Sequence, residues 1–260
     1  MPAITRLFFD RRTSPAPLWA KGMIVGLLLL ALAAVCWMIL AASTQNWLRI
    51  WGYREAFWQG WILTVELAAF SLALSTVIGV LAALARRSEF LPLRYASLLY
   101  IECVRGMPFL VLILLLFYGM PGVAKYGDRF VFGVGVLSLF AGAYIAEIVR
   151  AGLESVGASQ RESARAIGLD KIQTAVYVVF PQAIRQIIPP LTGQFASIIK
   201  DSSLLSIIGL SEFTYAAQQV NSATYSTLES FLPLGIGYLI LTVPISILSK
   251  RIERTLSYET

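Results

Sequence analysis

Histidine is absent from the 260 residues, and charged side chains make up only 14% of them. The first absence removes the commonest metal ligand, the usual general base and any histidine pH switch. The second separates the chain from soluble domains, in which about a quarter of residues are charged. Cysteine is scarce: Cys36 and Cys103 both lie inside apolar runs, form no C-x-x-C pair and give no disulfide framework. No G-x-x-x-x-G-K-[ST] stretch occurs, so a phosphate-cradling loop, if ATP is used, must come from a partner. Without a nucleophile–base pair or a metal-ligand cluster, an enzyme is disfavoured, and the expected catalytic and metal residues are none.

What is abundant is apolar surface. Hydrophobic residues reach 57% and the mean hydropathy is +0.72, which excludes a disordered chain and points to a lipid bilayer. The net charge of +6 reads as membrane topology, because loops on the cytoplasmic side collect Lys and Arg. A nucleic-acid partner is not expected. A helix crosses the hydrocarbon core with about 20 apolar residues, and six stretches meet this: Met23–Ala42, Gly60–Ala85, Ser97–Tyr118, Phe130–Val149, Ile187–Ile207 and Leu232–Ser249. The expected fold is all-α, a polytopic membrane protein of about six transmembrane helices.

Six spans put both termini on one side. Fifteen of the 21 basic residues fall in the N-terminal tail, the loops after spans two and four, and the C-terminal tail. Both termini are therefore expected in the cytoplasm. Trp47, Trp51, Trp58 and Trp61 fit an aromatic belt at the outer interface. The first span has no polar residue between Ile24 and Ala42 that could line a path, so 1–55 reads as a basic tail, a peripheral helix and an outer loop. Residues 56–254 form the core and 255–260 a short tail. No inverted pair of broken helices is evident, which weakens an ion-driven transporter.

The polar stretch 151–186 does not look like a loop. Ser159–Ile167 is rich in helix formers, and Gly168 suits a left-handed position just past a helix end. A second run, Lys171–Phe180, is amphipathic, and Pro181 is expected to stop it. Two short helices joined by a Gly turn make a rigid protrusion, which could also be an interfacial pair resting on lipid headgroups. The spacing adds information. Glu162-Ser163-Ala164-x3-Gly168-x9-Val178-x-Phe180-Pro181 resembles the E-A-A-x3-G-x9-I-x-L-P loop of ATP-binding-cassette (ABC) importer permeases. Arg105-Gly106-x-Pro108, Ala143-Tyr144-x-Ala146-Glu147-Ile148-x-Arg150 and Lys200-Asp201-Ser202-Ser203-Leu204 narrow the resemblance to the polar-amino-acid uptake branch, over residues 60–254. One departure is Ser159 directly before Gln160, where the family usually has Gly.

The resemblance implies a type I importer permease whose loop forms coupling helices seated on a cytoplasmic ATPase. Gln160, Glu162, Ala164, Arg165, Gly168 and Pro181 are then the coupling residues. Glu162 and Arg165 stand at i,i+3, where an intrahelical ion pair is the alternative role. The implied partners are two ATPase copies holding ATP and Mg²⁺, a second permease (copy or homologue), an extracytoplasmic solute-binding protein and an amino-acid substrate, in a bacterial inner membrane. No cofactor is expected on this chain itself.

Ionisable residues within a span are costly and mark candidate function. Glu102 with Arg105, and Glu147 with Arg150, are spaced for internal pairs. Pro108 should kink its helix. Lys200 and Asp201 are adjacent and cannot face each other on a helix, so with Ser202 they make a polar patch near a gate or substrate. Glu66, Arg105, Tyr144, Lys200, Asp201 and Ser202 are the candidate path residues. A zwitterionic solute needs an anion and a cation partner, and this set offers both. A self-sufficient channel or ion-driven transporter remains the second reading, distinguished by solute flux without ATP.

Overall fold

The computed structural model describes residues 18–41 and 47–257. Arg6, Arg11 and Arg12 of the basic tail lie outside them, as do residues 42–46 and 258–260. Every element among the described residues is helical, as expected. Helix α1 (Leu18–Ala41) has no buried side chain among those described. The short α2 (Trp47–Trp51) leads into α3 (Arg54–Arg86), whose 33 residues extend about 50 Å at 1.5 Å per residue. That length crosses both the hydrocarbon and its headgroup layers.

Small residues set how closely α3 approaches its neighbours. Its buried face carries Gly60, Thr64, Leu67, Ala68, Ser71, Ser75, Gly79 and Ala83, so from Ala68 to Ala83 one narrow stripe has no bulky side chain. Helix α7 (Arg129–Glu154) lies parallel to α3 along the lower part of this stripe, with Ser138 Oγ 3.4 Å from Ser71 O. At Gly79 a Cβ would fall 2.6 Å from Ile145 Cγ2 and 2.9 Å from Gly142 O. Only glycine fits, and the close backbone contact supplies the dispersion that replaces the hydrophobic effect in lipid.

The third span is broken rather than kinked. Helices α4 (Leu91–Arg105) and α5 (Phe109–Gly119) meet at 109° across Gly106-Met107-Pro108. Pro108 caps α5 in an extended conformation. Helix α4 is tied to its neighbours by Ser97 Oγ donating to Ala82 O (2.7 Å) and Tyr100 Oη donating to Leu139 O (2.6 Å). Helix α5 then rises antiparallel to α7 on stacked Phe109–Phe140 rings (4.5 Å) and the Phe117–Phe132 pair (5.1 Å). The sequence showed a proline but not how far the chain turns there.

After a single turn α6 (Val123–Tyr126) and then α7 come α8 (Ala158–Ala166) and α9 (Lys171–Thr174). Pro181 does not stop the second run, contrary to the sequence expectation. The helix widens to π register over Ala175–Val179 and continues as α10 (Phe180–Asp201). Pro181 thus enters at the first turn after a register change, where a missing N–H costs little. Pro189 and Pro190 also lie inside α10; Thr192 Oγ1 donates to Pro189 O (2.7 Å), and Ser249 approaches the same carbonyl at 3.3 Å. A 3₁₀ stretch (Ser202–Ile208) ends at Gly209, φ +73°.

The stretch after Gly209 is more than an outer loop. It contains α11 (Phe213–Thr224), packed against α3 and α12 (Thr227–Ser257). Among the described residues three helices, α3, α7 and α12, are singly long and apolar enough to cross a bilayer, and the bent α4–α5 pair makes a fourth. Helix α10 occupies the place of the fifth expected span but is diluted by glutamines, prolines and the Lys200–Asp201 pair.

Gly79→Leu should disrupt the α3–α7 seam. An overpacked contact of this kind costs about 1–3 kcal/mol. Gly135, beside which a Cβ meets nothing within 4 Å, serves as control. Thermal melting of the purified protein should fall for Gly79→Leu and hold for Gly135→Ala.

Candidate translocation path and coupling loop

The protruding loop is built as a stiff unit. Helix α8 starts at Gly157, which caps it through backbone conformation alone, so Ser159 and Gln160 already lie in its exposed first turn. The Ser before Gln therefore leaves the helix start intact. At the other end Gly168 has φ +89°; its N–H donates to Arg165 O (3.0 Å) and Leu169 N–H to Ala164 O (3.1 Å). These two bonds form a Schellman closure, which needs the left-handed residue that glycine provides. Asp170 and Gln173 then cap α9 reciprocally, at 2.7 and 3.0 Å. This capping box escaped the sequence reading, although Asp-x-x-Gln announces it.

Within α8 the faces divide cleanly. Ala164 is buried and seats the helix, while Gln160, Glu162 and Arg165 are exposed. Glu162 and Arg165 do not form the i,i+3 pair considered above: neither makes an ion pair among the described residues. Arg161 holds α8 to the end of α7 by donating to Leu153 O at 2.7 Å. Around the turn, Ile167 (79% exposed) and Ile172 (75%) stand out beside those charges. Pro181 is exposed on the adjoining segment. The outcome is a rigid knob with apolar tips and two unpaired charges.

The second cluster surrounds Glu147. Its carboxylate is paired with Arg86 of α3, with Arg105 of α4 (3.4 Å) and with Arg150 of its own helix (2.9 Å), and Arg150 also pairs with Glu154. The Glu147–Arg150 spacing is thus used as expected. Arg105, however, turns away from Glu102: the chain breaks directly after it and swings its guanidinium to Glu147 and over the Tyr144 ring, 5.5 Å from the centroid. One glutamate joins three helices at the end where the basic residues collect. Arg105, Tyr144 and Glu147 line an open cavity of about 400 Å³ with Gln186, Pro190 and Gln194 of α10. Two candidate path residues therefore share one cavity.

The others lie apart. Lys200 is exposed and Asp201 half-buried at the junction where α10 tightens into the 3₁₀ stretch. Ser202 corrects the expectation that it lines a path: it is fully buried and donates to Ile199 O at 2.8 Å, closing the junction from within. Glu66 is exposed on α3 and makes no ion pair among the described residues. Its neighbour Thr64 is buried, donating to Gly60 O and accepting from Phe213 N–H (3.1 Å).

The sequence reading missed Glu212. It is fully buried, its two oxygens accept from Thr214 and Tyr215 N–H (both 2.8 Å), and Tyr238 Oη donates to it at 3.1 Å. It caps α11 and bonds that helix to α12. A lone acidic residue just before Phe-Thr-Tyr, between the fifth and sixth expected spans, was the available signal.

Glu147→Gln should leave three arginines short of a counter-charge and lower the melting temperature by several degrees. Glu154→Gln, at an exposed pair, should shift it by about one degree or less. Equal shifts would refute the central role of Glu147.

Residues 75–258 match the family described as the binding-protein-dependent transport system inner membrane component. The chain is 34% identical to a probable glutamine ABC transporter permease protein, GlnM, of Bacillus subtilis over 203 residues, which covers 76% of this chain and 94% of that one. It is 33% identical to the glutamine transport system permease protein GlnP of Escherichia coli K12 over 211 residues, 80% and 96% of the two chains. Among solved structures, an amino acid ABC transporter with histidines superposes with TM-score 0.76 at 32% identity, covering 82% of this chain and 99% of that one. The MetNI methionine transporter, at 18% identity and TM-score 0.61, shares the fold. Permeases of this kind work with a separate ATPase and a solute-binding protein. The capped loop, the broken third span and these likenesses agree: the chain belongs to the binding-protein-dependent transport family and is a membrane-spanning permease subunit of an ABC importer.

Proposed function

We propose that this permease carries polar amino acids across the bacterial inner membrane, with both termini in the cytoplasm. It pairs with a second permease, a copy or a homologue, and with two ATPase subunits that hold ATP and Mg²⁺; a solute-binding protein delivers the substrate from outside. The observation that carries the reading is the α8–Gly168 knob: a helix closed at its C-terminus and docked through Ala164, presenting Gln160, Glu162, Arg165, Ile167 and Ile172 outward. Such a knob transmits a push because neither its turn nor its seat can give. The arginines gathered at the same end support its cytoplasmic placement.

The proposed path uses Lys200 and Asp201 at the α10 junction, with Arg105 and Tyr144 in the cavity nearer the basic end and Glu66 as a further contact. A cation for a carboxylate and an anion for an ammonium suit a zwitterion. The two relatives above are a probable glutamine permease and a glutamine permease by name, and others are named for arginine or L-cystine, which supports the solute class.

Two measurements test this. Gly168→Val, in a left-handed position that costs a branched residue about 1–3 kcal/mol, should leave the chain membrane-inserted while abolishing solute-stimulated ATP hydrolysis in proteoliposomes. Gly168→Asn, which tolerates that conformation, should keep most of it. Full coupling in the valine variant would sink the lever. Separately, Lys200→Gln should raise the KM for uptake about tenfold or more, the loss of one charge-assisted contact, with the complex still assembled. Unchanged kinetics would remove Lys200 from the path.

A further inference from the structure

Two cavities outside the path meet at one residue, Arg87. The first is an open groove of about 750 Å³ between α3 and α4, lined by Ile78, Leu81, Ala82, Leu93 and Leu139. Its two polar side chains of note are already engaged, since Ser97 and Tyr100 donate to backbone carbonyls. The second, of about 450 Å³, lies at the basic end of the same two helices and is walled by Arg86, Arg87, Arg94, Arg150 and Glu154. Arg87 lines both. Arg86 and Arg150 are neutralised in part by Glu147 and Glu154. Arg87 and Arg94 are exposed and make no ion pair among the described residues. Even with Glu147 counted, two positive charges are in excess.

An apolar slot that opens into a cationic basin has the two-part chemistry of an anionic phospholipid. The dimensions agree. From Arg87 back to Ile78 the groove follows nine residues of α3, about 14 Å, and one leaflet of hydrocarbon is about 15 Å deep. Arginines in the interfacial layer between spanning helices attract anionic headgroups, each by a factor of about five in affinity. A soluble acidic protein would use the arginines but leave the apolar slot unexplained. We propose that this groove binds one anionic phospholipid, its phosphate on Arg87 and Arg94 and an acyl chain along Ile78, Leu81 and Leu139. Because Arg87 also borders the cavity beneath α8, the headgroup would lie against the base of the coupling loop.

The test uses the full chain purified with its associated subunits in mild detergent. Dioleoyl phosphatidylglycerol or dioleoyl phosphatidylcholine is titrated in, and bound lipid is read by native mass spectrometry and by the thermal midpoint. Phosphatidylglycerol should be retained and raise the midpoint; phosphatidylcholine should do neither. Arg87→Gln with Arg94→Gln should weaken phosphatidylglycerol binding about 30-fold without moving the lipid-free midpoint, since neither arginine holds the fold together. Arg87→Lys with Arg94→Lys should retain most of the binding. Leu81→Asn should weaken it through the chain alone. Inorganic phosphate or glycerol 3-phosphate at millimolar concentration should not mimic the lipid. The proposal is overturned if those small anions reproduce the midpoint shift, if the glutamine variant binds phosphatidylglycerol like the parent, or if that variant loses its ATPase while lipid binding persists.

Discussion

The closeness of α3 and α7 governs the rest of the architecture. Helices in lipid gain nothing from excluding one another's apolar surface from water, so they associate by van der Waals fit. The stripe from Ala68 to Ala83 lets the two backbones approach until Gly79 touches Gly142 and Ile145. That approach brings Arg86, at the end of α3, alongside Glu147 near the end of α7. It also leaves room for α4 to cross both helices, bonded to Ala82 and Leu139. A wider seam would separate the ion network from its partners and open the cavity beside Tyr144.

Each departure from regular helix is matched by a local source of hydrogen bonds, as a bilayer interior requires. Breaking the third span at Gly106–Pro108 frees Arg105 to reach another helix, so the break itself creates the electrostatic tie. The prolines of α10 are accommodated by a π turn on one side and by hydroxyls from Thr192 and Ser249 on the other. Ser202 bonds within its own chain where α-helix becomes 3₁₀. Glu212 satisfies the first amides of α11 and takes a phenol from α12. Irregular backbone thus clusters at the break between α4 and α5, along α10 and at its junction with the 3₁₀ stretch.

Legibility in the sequence followed the range of the physics involved. The helical class and the Gly168 turn were readable because they depend on composition and on one residue's backbone freedom. Ala164 was readable as a motif position, yet its burial beneath exposed Glu162 and Arg165 required the folded helix. The Arg105 partner was misread because i,i+3 spacing sees only one helix: α4 is continuous through Glu102 and Arg105, yet the guanidinium takes Glu147 and the Tyr144 ring of another helix. Pro181 was misread for another reason: a π turn, which leaves no signature in spacing, absorbs it. Ser202 looked like a path residue because polar neighbours surround it in sequence, whereas only the three-dimensional junction shows that its hydroxyl faces inward. Glu212 was overlooked because a stretch with no basic residue and few long apolar runs resembles a loop.

Charge at the basic end serves several purposes that must not conflict. Topology asks only that Lys and Arg lie on that side, and any position in the loops would do. The ion network is more selective: Arg86, Arg105 and Arg150 converge on one carboxylate, and their positions are set by helix geometry rather than by side alone. Arg87 and Arg94 meet the first requirement without joining the second, so their charge is available to a ligand from outside the chain. Arg165 is in the same position on the knob: it is exposed and makes no ion pair among the described residues. The arginines thus divide into those spent on internal pairs, which set the fold, and those left unpaired, which face the surroundings. Neutralising one of the second group should leave the fold intact, whereas neutralising one of the first should not.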